Sequence, residues 1–457
     1  MVLTVHVVRR GGHGYYVGDL VAGRARGTLV AGEEPGVWSG QGTSGMGLAG
    51  TVEAPVFGDV LDGRHPDSGA TLRRQAGHRS VAAYDLTFAA PKSVSILHLL
   101  APREIATEVG GGHRAAVEEA TSYLDRAAVG VRRSHRGQVT LLPSTGALAG
   151  GFLHRTSRAL DPHLHTHLVV ANMAEGVDGA WSAVDGRRLF AHAPAAQGIY
   201  HARLRLELRE RLGVGWQVPP SGLGDVVGVD AGLRHLYSQR STTMDEYDVG
   251  RFGRVRMPAH RQGTFHATRP DKDVTRTVDT LASEWRSRAA DFGFDLGDLT
   301  RVVGLGTGRG TGPPAPAFDP DRFQEQLGRL ANRRSTLSHR DIVAVVAATA
   351  VTGATARTVE SIATTIAETS GPPVVPDRTL HGDRSVTGRS EVRGMAPRWS
   401  TDSVVRAVAR DPESLDRVVD GVPVGAISVQ PLRGRIGQAR EGAMGAQRTP
   451  PALDLGR

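Results

Sequence analysis

The stretch "PHLHTHLVVAN", residues 162–172, constrains this chain more than any other. Its histidines stand at 163, 165 and 167, directly before the apolar run Leu168–Val169–Val170. In an extended strand, residues two apart point to the same face. The segment therefore predicts a β-strand that projects three imidazoles to one side. Such a row suits a metal or a phosphate better than an apolar interior. His154 lies eleven residues before His165, far enough to return on a neighbouring strand. Three neutral imidazoles would leave coordination positions open for a substrate oxygen. A solvated strand surface, in a chain with 18 histidines, is the plainer alternative for the same spacing.

Composition narrows what such a site can be. The chain has no cysteine, so disulfides, iron–sulfur clusters and thiolate metal sites are excluded, and any metal must be held by His, Asp or Glu. The 457 residues leave room for two to four domains. No apolar segment of signal-peptide or membrane-span length occurs, so the expectation is a soluble, cytoplasmic protein without membrane insertion. The formal net charge of +8 points to a polyanionic partner only weakly. Of 55 basic residues only Lys92 and Lys272 are lysines, and with 58 glycines this reads as the coding bias of a GC-rich genome.

Along the chain, "VLTVHVV" reads as a strand and "VWSGQGTSGMGLAG" as turns and close backbone approaches. "AAYDLTFAAPKSVSILHLL" predicts a strand over 83–89, a break at Pro91 and a helix from Ser93. A long amphipathic helix is expected over 111–129. Two short strands are expected in "QVTLLPSTGALAGGFLHRTS", and a helix over 189–212 that stops at Gly213. Residues 220–300 read as largely helical. The organisation expected is a first domain over 1–303, a Gly/Pro linker over 304–320 and a small helical module over 321–368. Within that module, "STLSHRDIVAVVAATA" reads as a helix starting on an N-cap Ser or Thr. A largely disordered tail over 369–457, with a short helix near 401–410, would follow.

Three further features carry chemistry. Tyr15 and Tyr16 are adjacent in a Gly-flanked setting, in a chain with seven tyrosines. A phenol can act as a nucleophile at phosphorus, although an aromatic pair can equally be packing. Asp85 shares a strand face with Thr87, while Leu86 and Phe88 face the core. It is either an exposed carboxylate, or a base or orienter for a liganding histidine. Lys92 sits at a helix start, where anions are favoured, and is a candidate phosphate contact beside the plainer reading of a solvated lysine.

Together, "YDLTFAAPKSVS" and "HRTSRALDPHLHTHLVVAN" resemble the MobF-class (TrwC-like) conjugative relaxases of the HUH endonuclease superfamily. The order agrees too: tyrosine pair, Gly-rich segment, aspartate strand, then the three-histidine segment. The resemblance covers roughly residues 1–300. It implies an α/β (α+β) fold in which a central antiparallel sheet carries the histidines between flanking helices. A mainly helical C-terminal region would follow. It implies site- and strand-specific nicking of single-stranded DNA at a transfer origin, with a 5′-phosphotyrosyl intermediate and a released 3′ hydroxyl. By motif position, Tyr15 would be the principal nucleophile, Tyr16 its neighbour, and Asp85 a group that accepts or positions a proton. His154, His165 and His167 would hold the divalent metal. Magnesium or manganese is usual for phosphoryl chemistry, and zinc or nickel is what imidazoles hold most tightly. His163 falls outside that triad and, with Lys92 and Arg158, is a candidate DNA contact.

Two departures from the family stand out. No tyrosine occurs over 17–83, where relatives often carry a second pair. No G-x-x-x-x-G-K-[ST] loop occurs either, and "GLGTGRGTGPP" lacks the lysine. We therefore expect no ATP hydrolysis by this chain alone, and a separate helicase and other conjugation proteins as partners. Two alternatives compete: a non-catalytic origin-binding protein derived from a relaxase, and a three-histidine zinc hydrolase. The second leaves the tyrosine pair and Asp85 idle.

Overall fold

A computed structural model of the chain describes residues 3–12, 14, 33–74, 77, 79–135, 138–219, 222–255, 262–268, 276–305, 318–332, 337–369 and 374–375. Strands β1 (Thr4–Arg9) and β2 (Val37–Ser39) come first, and the short helices α1 (Gly42–Gly45) and α2 (Ala54–Leu61) follow. Strand β3 (Val81–Ala89) carries Asp85, and α3 (Lys92–Leu100) begins directly after Pro91. Helix α4 (Arg103–Ala127) leads into the hairpin β4 (Gly130–His135) and β5 (Gln138–Pro143). The histidine hairpin is β6 (Ala149–Thr156) and β7 (Pro162–Ala171). After the short pair β8 (Ala174–Glu175) and β9 (Trp181–Ser182) comes α5 (Gly186–Leu212). It ends at Gly213, whose φ of 61° is the left-handed conformation that stops a helix cheaply only at glycine.

Five strands pair in the order β1-β3-β7-β6-β2, every neighbour antiparallel, which places the histidine strand at the centre. Side-chain alternation then decides the layers. Leu164, Leu168 and Val170 of β7, with Leu86 and Phe88 of β3, enter a large core shared with α3, α4 and α5. Each such buried side chain contributes about 1.5–3 kcal/mol relative to exposure. On the opposite face Ala83, Val169 and Ala171 meet Phe57, Val60 and Leu61 of α2 in a smaller core. That face continues along β7 as His167, His165 and His163. The small core thus covers one end of the face and leaves the histidine end to polar side chains.

Helix α4 begins eight residues before the start expected from the sequence. Gly110, Gly111 and Gly112 lie inside the helix. A Cβ on Gly112 would come within 2.9 Å of Leu208 Cδ2, so the glycine lets α4 and α5 approach closely.

Beyond α5, the pair β10 (Trp216–Gln217) and β11 (Asp225–Val226) precedes helices α6 (Ala231–Leu236), α7 (Gln239–Phe252), α8 (Gln262–Ala267) and α9 (Val278–Asp291). The region read as a small helical module holds α10 (Pro320–Ala331), α11 (His339–Thr349) and α12 (Ala356–Thr369). Ser338 caps α11 in a reciprocal box with Asp341. These helices share the large core: Ile342, Val343 and Ile366 belong to it together with Ile199 and Leu204 of α5. Arg205 of α5, 1% exposed, donates to the carbonyls of Ala350 at 3.0 Å, Ala347 at 2.9 Å and Gly222 at 3.0 Å. Strands β12 (Leu337–Ser338) and β13 (Val374–Val375) pair in parallel. The expected linker is described only at 304–305 and 318–320, and the expected helix near 401–410 lies outside the described residues. No described helix is long and apolar enough to cross a membrane.

Candidate metal centre

The register of the central hairpin assembles the site. His154 of β6 pairs directly with His165 of β7, and His167 lies two residues further along the same face. One nitrogen from each of His154, His165 and His167 lies within 4.8 Å of the others, the one such metal-suited cluster among the described residues. His163 is not part of it. Its ring instead stacks on that of His165, with centroids 4.6 Å apart.

Hydrogen bonds orient these rings. The Asp85 carboxylate lies 2.9 and 3.0 Å from His167 Nδ1, so that nitrogen donates and Nε2 is left to a ligand. Thr87 Oγ1 stands 3.3 Å from the same Nδ1. His165 Nδ1 donates to the His163 carbonyl at 2.8 Å, which likewise leaves Nε2. His154 Nδ1 is buried with no hydrogen-bond partner. A buried polar nitrogen left unmatched is costly, and a cation drawn in among these rings would relieve it.

Burial keeps the His154 and His165 rings neutral, as ligation requires. Burial, reinforced by the neighbouring His167 imidazole, pulls His165 down to about 3. The same causes hold His154 well below the ordinary histidine value. The residues therefore fit a divalent metal: three imidazole nitrogens, two oriented from behind and one otherwise unmatched.

The remaining site residues fall in different places. Asp85 is 3% exposed, not a surface carboxylate. Lys92 is turned inward. Its Nζ donates to the Pro162 carbonyl at 2.7 Å, and burial lowers its ammonium to about 8 against the opposing pull of Asp161. Arg158 stands half-buried in the turn between the histidine strands. Tyr15 and Tyr16 lie outside the described residues. Sequence reasoning passed over Asp161, although it sits inside the motif directly before Pro162. Its partners come from far along the chain, so spacing gave no signal.

An antiparallel sheet with this hairpin at its centre is the arrangement the resemblance implied, and comparison with known proteins agrees. The TrwC relaxase family matches over residues 9–292, and the chain belongs to that family. The multifunctional conjugation protein TraI of Escherichia coli is 30% identical over 322 residues, covering 67% of this chain and 18% of TraI. TraI of Escherichia coli strain K12 gives the same identity and coverage. The chain thus spans 18% of the length of these relatives. Among solved structures, the metal-free conjugative relaxase TrwC in complex with OriT DNA is 26% identical with a TM-score of 0.57. The match covers 64% of this chain and 99% of that one. A metal-bound TrwC–OriT complex, and TrwC with a 27-mer DNA comprising the recognition hairpin and cleavage site, each give a TM-score of 0.56.

Proposed function

We propose that this chain is a conjugative relaxase that nicks one DNA strand at a transfer origin by tyrosine transesterification. The observation that carries the reading is the three-imidazole cluster with Asp85 behind His167, set on the fold of the TrwC relaxase family. When bound there, a divalent cation would polarise a phosphate oxygen and stabilise charge on the phosphorus centre. The chain's own residues do the rest. The Tyr15 phenol oxygen forms a bond to the scissile phosphorus while the bond to the 3′ oxygen breaks, leaving a 5′-phosphotyrosyl link. The phenol loses its proton and the departing 3′ oxygen gains one. Asp85 keeps the His167 ring in one tautomer and one orientation.

For the ion, our reading is magnesium or manganese in turnover, with zinc or nickel held more tightly by three nitrogens. The substrate is single-stranded DNA at the origin, and unwinding falls to a separate helicase. The deciding experiment incubates the chain and Mn²⁺ with single-stranded oligonucleotides spanning candidate origins. A covalent protein–DNA species that survives denaturant supports the relaxase reading. Clean hydrolysis without an adduct would favour a three-histidine hydrolase, and binding without cleavage a non-catalytic origin binder.

A further inference from the structure

Between the two histidine strands the chain turns through Ser157–Asp161, closed locally by the Ser157 N–H on the Asp161 carbonyl and the Leu160 N–H on the Ser157 carbonyl, each at 2.9 Å. Strand β3 pairs with β7 only as far as Ala89 opposite His165. The β6–β7 register shifts between His154 and Thr156. Beyond the Thr156–Pro162 pair, the closed end of the hairpin is held by other elements as well as by its own turn.

Two helices from far downstream grip it. Leu160 is the one described non-glycine residue with positive φ, at 58°, a conformation that strains a residue bearing a Cβ. Its carbonyl accepts from Nε1 of Trp285, a wholly buried side chain of α9, at 2.8 Å. Asp161 is 1% exposed. Its Oδ2 accepts from the backbone N–H of Gln239, the first residue of α7, at 2.9 Å, and Arg288 of α9 stands 3.6 Å from Oδ1.

Helix α3 completes the grip from the other side. Lys92 Nζ donates to the Pro162 carbonyl at 2.7 Å, and the Leu164 N–H donates to Ser95 Oγ at 3.0 Å. A strained turn persists only where its surroundings over-determine it, and here three helices do so.

We infer that Asp161 and Trp285 are positioning residues for the metal centre, through which α7 and α9 lock the closed end of the histidine hairpin. The inference rests on the proposed metal site for its affinity readout. It links the ligand hairpin to the helical region beyond residue 230. Those helices then act on the site without touching a ligand.

The test uses the full chain and three variants. Trp285→Phe keeps an aromatic ring in the core and removes the N–H. Asp161→Asn keeps an acceptor for Gln239 and removes the charge. Ile342→Val, a buried change in α11, serves as a control for general destabilisation. Mn²⁺ affinity is measured by calorimetry, and amide hydrogen exchange is followed over 163–165 without metal. Trp285→Phe and Asp161→Asn should each weaken Mn²⁺ binding about tenfold and speed exchange over 163–165. Ile342→Val should lower the melting temperature and leave both readouts at wild type. Should one positioning variant fail to fold, the other carries the comparison. Wild-type affinity and exchange in a folded positioning variant overturn the inference. If the wild-type chain takes no Mn²⁺, the metal reading fails and exchange alone decides. Faster exchange in Trp285→Phe than in Ile342→Val then supports the lock, and equal exchange overturns it.

Discussion

His154 and His165 face each other across β6 and β7, with ring centroids 5.4 Å apart in an edge-to-face arrangement. Neither ring can leave without opening the space between the other two ligands.

Removing any one ring should therefore abolish tight binding. His154→Ala, His165→Ala and His167→Ala should each lose the stabilisation that metal gives, about 2.7 kcal/mol at 100-fold excess over Kd. His163→Ala should retain it, because His163 stacks beside the cluster rather than completing it. Thermal melts with and without Mn²⁺ check this. Metal loss in His163→Ala equal to that in the other three would mean the ligand set is wrong.

Asp85 acts through His167. Asp85→Asn keeps the shape of the side chain but offers its amide or carbonyl to Nδ1 in place of a charge. We expect metal affinity to fall roughly 10–100-fold, as for other partners that orient a liganding imidazole. Calorimetric titration of the purified variant measures it, and an unchanged Kd would leave Asp85 without this role.

Acid should destabilise the metal-free protein through histidines away from the site. His113, between Tyr200 and Thr166, and His192, beside Tyr123, are each pulled to about 3, chiefly by burial. Unfolded, each titrates near about 6.5. Between those values the unfolded chain binds protons that the folded chain refuses, so stability falls as pH falls. Each contributes a slope of about 1.4 kcal/mol per pH unit below about pH 6.5. From pH 7.5 to 5.5 the pair should cost roughly 2–3 kcal/mol. Urea unfolding in chelator at the two pH values tests this, and equal stability at both would contradict it.

Tyr15→Phe should abolish covalent capture of a cleaved strand while leaving single-strand binding nearly intact, since only the nucleophilic oxygen is lost. The readout is a denaturing gel beside a filter-binding curve. Adducts at the wild-type rate would transfer the nucleophile to Tyr16 or another residue.

The fold was legible where periodicity was strong. Alternation alone put His163, His165 and His167 on one face, and the break at Pro91, the stop at Gly213 and the cap at Ser338 were local signals that tertiary packing did not override. What alternation could not choose was the ligand set. His163 and His167 share a face, and only pairing with β6 shows which of them has His154 beside it. Lys92 looked like an anion contact because its position at a helix start is a local cue. The Pro162 carbonyl to which it donates is brought near by the sheet, which no local cue announces. The start of α4 was placed eight residues late for a similar reason. Only the neighbouring helix shows that Gly112 makes room for Leu208.

The buried Arg205 sets where the chain can be shortened. A fragment trimmed to the family-matched stretch, ending at residue 292, would remove Ala347 and Ala350 and leave that guanidinium two acceptors short. It would also open one side of α5 to water, where Ile342, Val343 and Ile366 now share its core. A fragment that keeps this core intact therefore extends past α12, so the boundary drawn by kinship and the boundary drawn by packing fall in different places.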